Sequence, residues 1–98
     1  MSVEVRLRPE AERDLSDASA WYEEQRPGLG QEFLARVLNV FDTLAASPFM
    51  YPVHYRQTRR AVLQRYPFGV YYQIDEFGVV VVAVIHASRD PACWQERS

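Results

Sequence analysis

The stretch that decides the fold runs from Arg59 to Pro91 and reads RRAVLQRYPFGVYYQIDEFGVVVVAVIHASRDP. It contains two apolar strands, Phe68 to Ile74 and Val79 to Ile85, joined by a turn at Asp75-Glu76-Phe77-Gly78. A third strand, Arg59 to Tyr66, precedes them, so the stretch predicts a three-strand meander. Because Val79 to Ile85 has no polar residue, both of its faces must be covered, and we expect it inside the sheet.

The segments before this stretch must supply the cover. Ser2 to Leu7 alternates polar and apolar residues, which is typical of a half-buried strand. Pro9 and the acidic residues after it suit the first turn of a helix, which we expect to stop before Pro27-Gly28. A second helix is expected from about Gln31 to Ser47-Pro48. Both helices carry apolar stripes, so they are predicted to form an antiparallel hairpin.

Two further segments complete the predicted α+β fold. Phe49 to Thr58 shows no clear period and is predicted to be an ordered loop. Asp90-Pro91 has the form of a helix cap followed by a first-turn proline, so Ala92 to Glu96 is expected to make one turn that lays Trp94 on the sheet. We therefore expect an N-terminal strand and a two-helix hairpin packed on one face of a mainly antiparallel sheet. Since the hairpin covers one face, the other face is expected to leave an apolar surface for a partner protein.

Length and composition predict that residues 1–98 form one domain. No run approaches the roughly 18 apolar residues that span a bilayer, and the start MSVEVRLRPE lacks the apolar core of a signal peptide, so a cytoplasmic protein without a membrane partner is expected. The single cysteine, Cys93, has no second thiol for a disulfide or a zinc site. Metal-ligand spacing and a glycine-rich phosphate loop are both missing from the sequence, which predicts no metal or small-molecule cofactor.

The charge is distributed unevenly along the chain. Residues 1–53 carry five arginines against nine acids, a net charge of −4, whereas residues 54–98 carry six arginines against four acids, a net charge of +2. All 11 basic residues are arginine, a side chain suited to bidentate contacts with phosphate and carboxylate. The overall net charge of −2 argues against a protein that binds nucleic acid mainly by electrostatic attraction.

Several ordered motifs carry a resemblance to a known family. They are Glu10-Ala11-Glu12-Arg13-Asp14-Leu15, WYEEQRPGLG from Trp21 to Gly30 with Phe33, Arg59-Arg60, YPFGVYY from Tyr66 to Tyr72, and Val84-Ile85-His86 with Arg89-Asp90-Pro91 and Trp94. This set, which covers nearly the whole chain, resembles the ParE/RelE superfamily of type II toxin-antitoxin toxins, and its ParE-like branch more than its RelE-like one. The resemblance implies a compact growth-arresting toxin that is wrapped by a segment of a cognate antitoxin. It also implies a target, which is DNA gyrase in the ParE branch and mRNA on the ribosome in the RelE branch.

The two branches place different demands on the residues. RNA cleavage without a metal needs a base for the 2′-hydroxyl proton, an acid for the leaving oxygen and cations for the transition state. RelE-like toxins supply these groups with sheet arginines, lysines and a tyrosine near the C-terminus. Here Gly69 stands at the position of the arginine before the V-Y-Y-like run, Gln95 stands at or near the position of the tyrosine, and lysine is absent. Arg89 matches the arginine after the last strand.

Three functions remain open. The first is a toxin that binds and poisons gyrase; its target-binding surface is predicted from the residue types that dominate interfaces, namely Arg59, Arg60, Arg65, Arg89 and Trp94. The second is a metal-independent mRNA endoribonuclease that uses Arg65, His86 and Arg89. The third is an antitoxin-binding module without toxicity. The incomplete set of acid-base groups favours the first function over the second, and nothing in the sequence separates the first from the third.

Neighbouring strand residues point to opposite faces of a sheet, which limits which side chains act together. One of Arg59 and Arg60 is therefore expected to reach solvent or a partner, while the other pairs with acids of the helices. For the same reason at most one of Tyr71 and Tyr72 can share a surface with a ligand. His86 ends the central strand, where a histidine more often makes a structural hydrogen bond than acts as a base.

Overall fold

In the computed structural model, residues 2–97 form five strands and three helices. In chain order they are β1 (Glu4–Leu7), α1 (Pro9–Gln25), α2 (Leu29–Ala46), β2 (Val53–Tyr55), β3 (Thr58–Val62), β4 (Phe68–Asp75), β5 (Gly78–His86) and α3 (Ala92–Gln95). Met1 and Ser98, the ends of the predicted domain, lie outside the described residues. Within residues 2–97, no helix has the length and apolar character needed to cross a membrane.

The strands form one sheet in the order β1-β5-β4-β3-β2. β1 runs parallel to β5, and every other neighbouring pair is antiparallel. β5 lies between β1 and β4, which confirms that the apolar run is interior to a mainly antiparallel sheet. A register shift where β5 pairs with Tyr71 and Tyr72 leaves Val82 as an extra residue, since Tyr71 faces Ala83 and Tyr72 faces Val81.

The helix hairpin covers one face of the sheet, as the two apolar stripes predicted. Phe33, Val37, Phe41 and Leu44 of α2 are buried against a core that includes Tyr72 of β4. The carboxylate of Glu23 joins the two helices, because it accepts the backbone N–H groups of Gly28 and Gly30 at 2.8 and 3.0 Å. These two groups belong to the first turn of α2, where backbone donors lack partners within the helix.

Glycine is required where the two helices approach each other. A Cβ placed on Gly30 would lie 2.5 Å from the carbonyl oxygen of Ser19 in α1, a separation that no side chain tolerates. Gly28 has a φ of +89°, a left-handed conformation that costs glycine little. The short PGLG connection is therefore suited to a close antiparallel hairpin.

The region between α2 and β4 differs from the prediction at both ends. Val53–Tyr55 is a strand, β2, rather than part of a loop, because it forms a hairpin with β3 through a turn in which Arg56 has a φ of +52°. The predicted strand from Arg59 to Tyr66 ends at Val62, since Arg65 adopts a φ of +74° and turns the chain away from the sheet. The meander therefore has four strands, β2 to β5.

The second face of the sheet is also covered, which corrects the expectation of an open apolar face. α3 lies across it after a turn in which Asp90 Oδ1 accepts the N–H of Ala92 at 3.0 Å. The large apolar side chains that remain exposed lie elsewhere on the molecule, on α1, α2, the strand edges and the connecting segments: Val3, Trp21, Leu38, Phe49, Met50, Val53, Val62 and Phe77.

Candidate functional site

An aromatic stack lies at the centre of the sheet face opposite the hairpin, which we name the α3 face. Trp94 of α3 packs on Tyr71 of β4 with ring centroids 4.4 Å apart and an interplanar angle of 19°. Only 3% of Trp94 is exposed. The buried cluster on this face also includes Val82, Ala83 and Ile85 of β5. The predicted docking of Trp94 on the sheet is confirmed, and Tyr72 points to the opposite face, as expected.

The rim of this stack is formed by His54, Tyr55 and Arg60. The rings of His54 and Tyr55 both lie 5.5 Å from that of Trp94, and Tyr55 meets it edge-on at 85°. Arg60 lies directly opposite Tyr71 in the register of β3 with β4. Partial burial lowers the pKa of His54, and the positive charge of Arg60 lowers it further. The rim is thus an aromatic surface with a cation beside it.

We expect His54 to titrate below its ordinary value of 6.5. Because its folded-state pKa is depressed, the contribution of neutral His54 to stability is present above the unfolded pKa and is lost as the pH falls through the folded pKa. A titration followed by NMR of the ring protons checks this. Arg60→Gln should raise the pKa only part of the way, since burial is the larger cause. A midpoint at or above 6.5 in the unsubstituted protein contradicts the expectation.

Gly69 lies on the α3 face, at the position where RelE-like toxins have an arginine. A Cβ placed on it would lie 3.2 Å from the ring of Tyr71 and 3.4 Å from Cδ of Arg60. A side chain at this position would therefore project beside the aromatic stack. Because Gly69 has no side chain, the α3 face lacks the positive charge that an arginine would supply here. The ring of Trp94 occupies the centre of the face.

Arg59 points away from this surface, as the alternation of strand residues requires. Its Nη1 donates to the carbonyl oxygen of Tyr51 at 2.6 Å, and its guanidinium lies 5.1 Å from the centroid of the Phe49 ring. Arg59 is thus bonded to a backbone carbonyl and not to a carboxylate. The expectation that one of Arg59 and Arg60 pairs with acids of the helices is wrong. Its position in β3 brings Arg59 next to the segment after α2, so it holds that segment on the sheet.

His86 and Arg89 lie in a groove between α1 and the end of β5. They line a cavity of about 210 Å³ together with Asp14 and Asp17 of α1. A second cavity, of about 330 Å³, shares His86 with the first and is bounded mainly by apolar side chains: Ala18, Trp21, Tyr22, Pro67 and Phe68. Arg89 also donates from Nη2 to the sulfur of Cys93 at 3.3 Å. The groove is therefore charged at one end and apolar at the other.

The hydrogen bonds of His86 restrict what its ring can do. Its Nδ1 accepts the backbone N–H of Ser88 at 3.0 Å and lies 2.7 Å from Oγ of the same residue. Because a backbone N–H can only donate, Nδ1 is unprotonated and the proton of the neutral ring is on Nε2. A general base needs a free lone pair directed at its substrate, and this tautomer offers none.

The predicted site residues do not form one continuous surface. Arg60 lies on the α3 face with Trp94, but Trp94 is buried in the stack rather than exposed at a rim. Arg65 lies at the bend after β3 and lines a separate cavity against α2. Of the alternative ribonuclease residues, the structure brings together His86 and Arg89 and leaves Arg65 elsewhere. The roles of both sets stay predictions.

Asp14 and Arg97 form an ion pair that no pattern in the sequence predicted. Nη1 of Arg97 lies 2.6 Å from Oδ2 of Asp14, and both side chains are largely buried. The sequence signal for Asp14 is its place directly before Leu15, at the border of the apolar stripe of α1. Arg97 had no such signal, because it follows the last recognisable element of the chain.

Comparison with known proteins identifies the fold and the family. Residues 5–91 match the family model described as the ParE toxin of type II toxin-antitoxin systems, parDE. The chain is similar to the chromosomal ParDE toxin-antitoxin system from P. aeruginosa, with a TM-score of 0.77 and 13% identity over 87% of this chain and 96% of that one. It is also similar to the toxin-antitoxin complex RelBE2 from Mycobacterium tuberculosis, with a TM-score of 0.60 and 25% identity over 88% and 99% of the two chains. No curated protein matches the sequence.

These comparisons agree with the resemblance carried by the motifs. The family model covers most of the chain, and the structural relatives share the order of an N-terminal strand, a helix hairpin and a mostly antiparallel sheet. The chain belongs to the ParE toxin family of type II toxin-antitoxin systems.

Proposed function

We propose that this toxin arrests growth by binding DNA gyrase, without cutting RNA, and that a cognate antitoxin neutralises it. Membership of the ParE family supports the choice of gyrase, because poisoning of gyrase is the activity that the ParE-like branch implies. The antitoxin partner is supported by the two structural relatives, which both come from toxin-antitoxin assemblies.

The occupied α3 face is the observation that carries binding over cleavage. On this face Gly69 replaces the arginine of RelE-like toxins, and Trp94 is stacked on Tyr71 at 4.4 Å. A cleavage site arranged around that arginine, as the resemblance to RelE-like toxins implies, would need this space for a phosphodiester and for cations that stabilise its transition state. His86, the candidate base, has its Nδ1 engaged with Ser88 and lies in a different groove. Binding needs none of these groups to be aligned with a reacting atom.

Arg60 is the residue that we expect to contribute most to target binding. Its strand position directs it to the α3 face, opposite Tyr71 and close enough to His54 for its charge to lower the pKa of that ring. A guanidinium beside aromatic side chains is a common arrangement at the energetic centre of protein interfaces. Among residues 2–97, no carboxylate lies within salt-bridge distance of Arg60, so its charge is available to a partner.

The test compares the two candidate targets in one experiment. The chain is induced alone and with the protein encoded by the adjacent gene, while DNA damage signalling and mRNA integrity are followed, and the purified chain is added to a gyrase supercoiling assay. We expect growth arrest, DNA damage signalling and inhibition of supercoiling, with intact mRNA and rescue by the adjacent protein. Rapid mRNA cleavage with normal supercoiling would support the endoribonuclease, and neither effect with intact antitoxin binding would support the non-toxic module.

Two substitutions separate binding from cleavage. His86→Asn keeps a hydrogen-bond acceptor for Ser88 but removes the imidazole, so toxicity should persist, whereas loss of a general base would lower cleavage by about 10²-fold or more. Arg60→Glu should weaken inhibition of supercoiling by about tenfold or more, because it reverses a charge at the expected interface. Arg13→Glu makes the same charge change on an exposed part of α1 and serves as the control. Equal potency of the Arg60 and Arg13 variants would exclude Arg60 from the interface.

A further inference from the structure

The groove between α1 and the end of β5, which we name the α1–β5 groove, consists of two cavities that meet at His86. The cavity at the charged end has a volume of about 210 Å³, and the cavity at the apolar end has a volume of about 330 Å³. Ala18, Phe68 and His86 border both cavities, so the two adjoin. Sites for small molecules have volumes of roughly 300–1,000 Å³ and combine apolar walls with a few polar groups. The α1–β5 groove has the volume and the composition of such a site.

Aromatic rings form most of the walls at the apolar end. Tyr22 meets the ring of Trp21 edge-on, with centroids 5.1 Å apart, and its centroid lies 6.0 Å from that of Phe68. Although it borders this cavity, Trp21 is 56% exposed. Aromatic side chains pair with a further ring by offset stacking or by edge-to-face contact. The cavity therefore favours a ring as its occupant, and that ring would cover apolar surface of Trp21 that is in contact with water.

Two opposite charges border the charged end of the groove without touching each other. Asp17 of α1 and Arg89 of the turn after β5 both line the 210 Å³ cavity. Among residues 2–97, neither side chain lies within salt-bridge distance of an oppositely charged group. Asp14, the other acid of this cavity, is instead paired with Arg97 at 2.6 Å. Asp17 and Arg89 therefore leave one negative and one positive charge available to a ligand.

Hydrogen-bond donors border the groove together with the positive charge. Nδ1 of His86 accepts from the backbone of Ser88, so the neutral ring carries its proton on Nε2, which can donate to a ligand. Arg89 uses one of its N–H groups for the sulfur of Cys93 at 3.3 Å, and a guanidinium has further donors that can bind both oxygens of a carboxylate. These two residues are therefore suited to a carboxylate, whereas Asp17 is suited to an ammonium group.

The spacing along α1 relates the negative charge to the aromatic wall. Asp17 and Trp21 are four residues apart, which places them on the same side of the helix. Their separation along the helix axis is about 6 Å at the rise of an α-helix. In an aromatic amino acid, the amino nitrogen and the ring are separated only by the α- and β-carbons. A ligand of this size can therefore contact the carboxylate and the indole ring at the same time.

We propose that the α1–β5 groove binds a free aromatic α-amino acid, with its ammonium group at Asp17, its carboxylate at Arg89 and Nε2 of His86, and its ring at the apolar end. Charge complementarity defines the occupant. An aromatic acid without an amine would place a second negative charge near Asp17, and an aromatic amine would leave Arg89 without a carboxylate. The inference goes beyond the proposed function, since it requires neither gyrase nor an antitoxin.

Nuclear magnetic resonance titration of the isotope-labelled chain with L-phenylalanine tests the proposal. The indole N–H of Trp21 and the backbone amide of Arg89 should shift until they saturate. The indole N–H of Trp94, which belongs to the α3 face, should stay in place. Phenylpropionate, which lacks the amine, and phenethylamine, which lacks the carboxylate, should each bind about tenfold more weakly, because each loses one charged hydrogen-bonding group.

Two substitutions assign each charge of the ligand to one side chain. Arg89→Gln should weaken the binding of phenylalanine by about tenfold and leave that of phenethylamine within about twofold, because phenethylamine has no carboxylate for Arg89 to bind. Asp17→Asn should weaken phenylalanine by a similar factor without weakening phenylpropionate. Arg56→Gln, which removes an exposed arginine from the turn between β2 and β3, is the control and should keep the affinity of the parent. Thermal unfolding of each variant verifies that it is folded.

The possible outcomes separate this site from other uses of the groove. Absence of saturable shifts with millimolar phenylalanine and tryptophan overturns the proposal. Equal affinity for phenylalanine, phenylpropionate and phenethylamine also overturns it, as does an equal loss in Arg56→Gln and Arg89→Gln. Shifts at Trp21 that appear only with the protein encoded by the adjacent gene would assign the groove to a protein partner instead. Each of these results leaves the proposed function intact, because gyrase inhibition is measured without the amino acid.

Discussion

Replacing Trp94 with alanine is expected to destabilise the protein by about 3–5 kcal/mol, the usual cost of removing a buried tryptophan. The side chain lies parallel to Tyr71, meets the ring of Tyr55 edge-on and belongs to the buried cluster of the α3 face. Its removal would expose the α3 side of β5 to water and detach a helix of four residues that has few other means of attachment. Equilibrium unfolding in urea measures the loss, and the thermal midpoint should fall by roughly 4–8 °C per kcal/mol for a domain of this size.

Trp21 provides the matched control, because it is the other tryptophan of the chain and is 56% exposed on α1. Trp21→Ala should change the free energy of unfolding by less than about 1 kcal/mol, as for most substitutions away from the core. Trp94→Phe should fall between the two, since it keeps a ring over Tyr71 but fills less space. Similar small losses for Trp94→Ala and Trp21→Ala would show that the cover of the α3 face is not needed for stability.

The interior of the fold was predictable because one physical signal determined it. The run from Val79 to Ile85 has no polar residue, and only a strand with cover on both sides can hide it. The hairpin followed from apolar stripes at helical spacing, which extend over more than four turns of α2. Both signals are averages over many residues, so small errors at the ends of elements did not change the architecture.

The features that the sequence did not reveal depend on single residues. β2 has three residues, too few for a periodic pattern, and it exists because the turn at Arg56 brings Val53 against β3. The early end of β3 depends on the conformation of Arg65, an arginine that local propensity does not place in the left-handed region. The docking of Trp94 on the sheet was predicted, but the sequence did not show that one tryptophan in a helix of four residues would complete the cover of the α3 face.

The candidate site was harder to predict because arginines had to be assigned to faces. Arg59 and Arg60 were recognised as pointing in opposite directions, but the sequence could not show that Arg59 reaches the carbonyl of Tyr51.

Beyond the end of β1, side chains instead of a strand form hydrogen bonds with the backbone of β5. Asp14 of α1 is one of them, so we expect it to contribute to the stability of the sheet. β1 ends at Leu7, opposite Val81, so within residues 2–97 the backbone groups of β5 that follow have no strand to pair with on that side. Asp14 accepts the N–H of Val84 at 3.1 Å, and Arg97 donates to the carbonyl oxygen of Val82 at 3.2 Å. The bulged residue Val82 thus supplies the carbonyl of one of these two bonds, and the ion pair of Asp14 with Arg97 links them.

The pair also fixes the C-terminal end of the described chain. Arg8 donates to the carbonyl oxygen of Arg97, so both the backbone and the side chain of Arg97 are held. Hydrogen bonding to Asp14 raises the pKa of Arg97 above its ordinary value. A base with a raised folded-state pKa contributes stability at every pH below its unfolded pKa, which for arginine lies far above neutral pH. The arginine therefore remains charged throughout the pH range in which the protein can be studied.

Asp14→Ala is expected to destabilise the protein by about 3–5 kcal/mol, because it leaves the largely buried guanidinium of Arg97 without its carboxylate and the N–H of Val84 without an acceptor. Asp14→Asn should cost less, since its amide oxygen can still accept from Val84 while only the charge is lost. Asp17→Ala is the control, because Asp17 is an exposed carboxylate that borders the same groove, and it should stay within about 0.5 kcal/mol of the parent. Urea unfolding of the three variants orders them, and hydrogen exchange of the Val84 amide should accelerate most in Asp14→Ala. If Asp14→Ala and Asp17→Ala cost the same, the sheet edge does not depend on this carboxylate, and the bulge at Val82 must be held by backbone pairing with β4 alone.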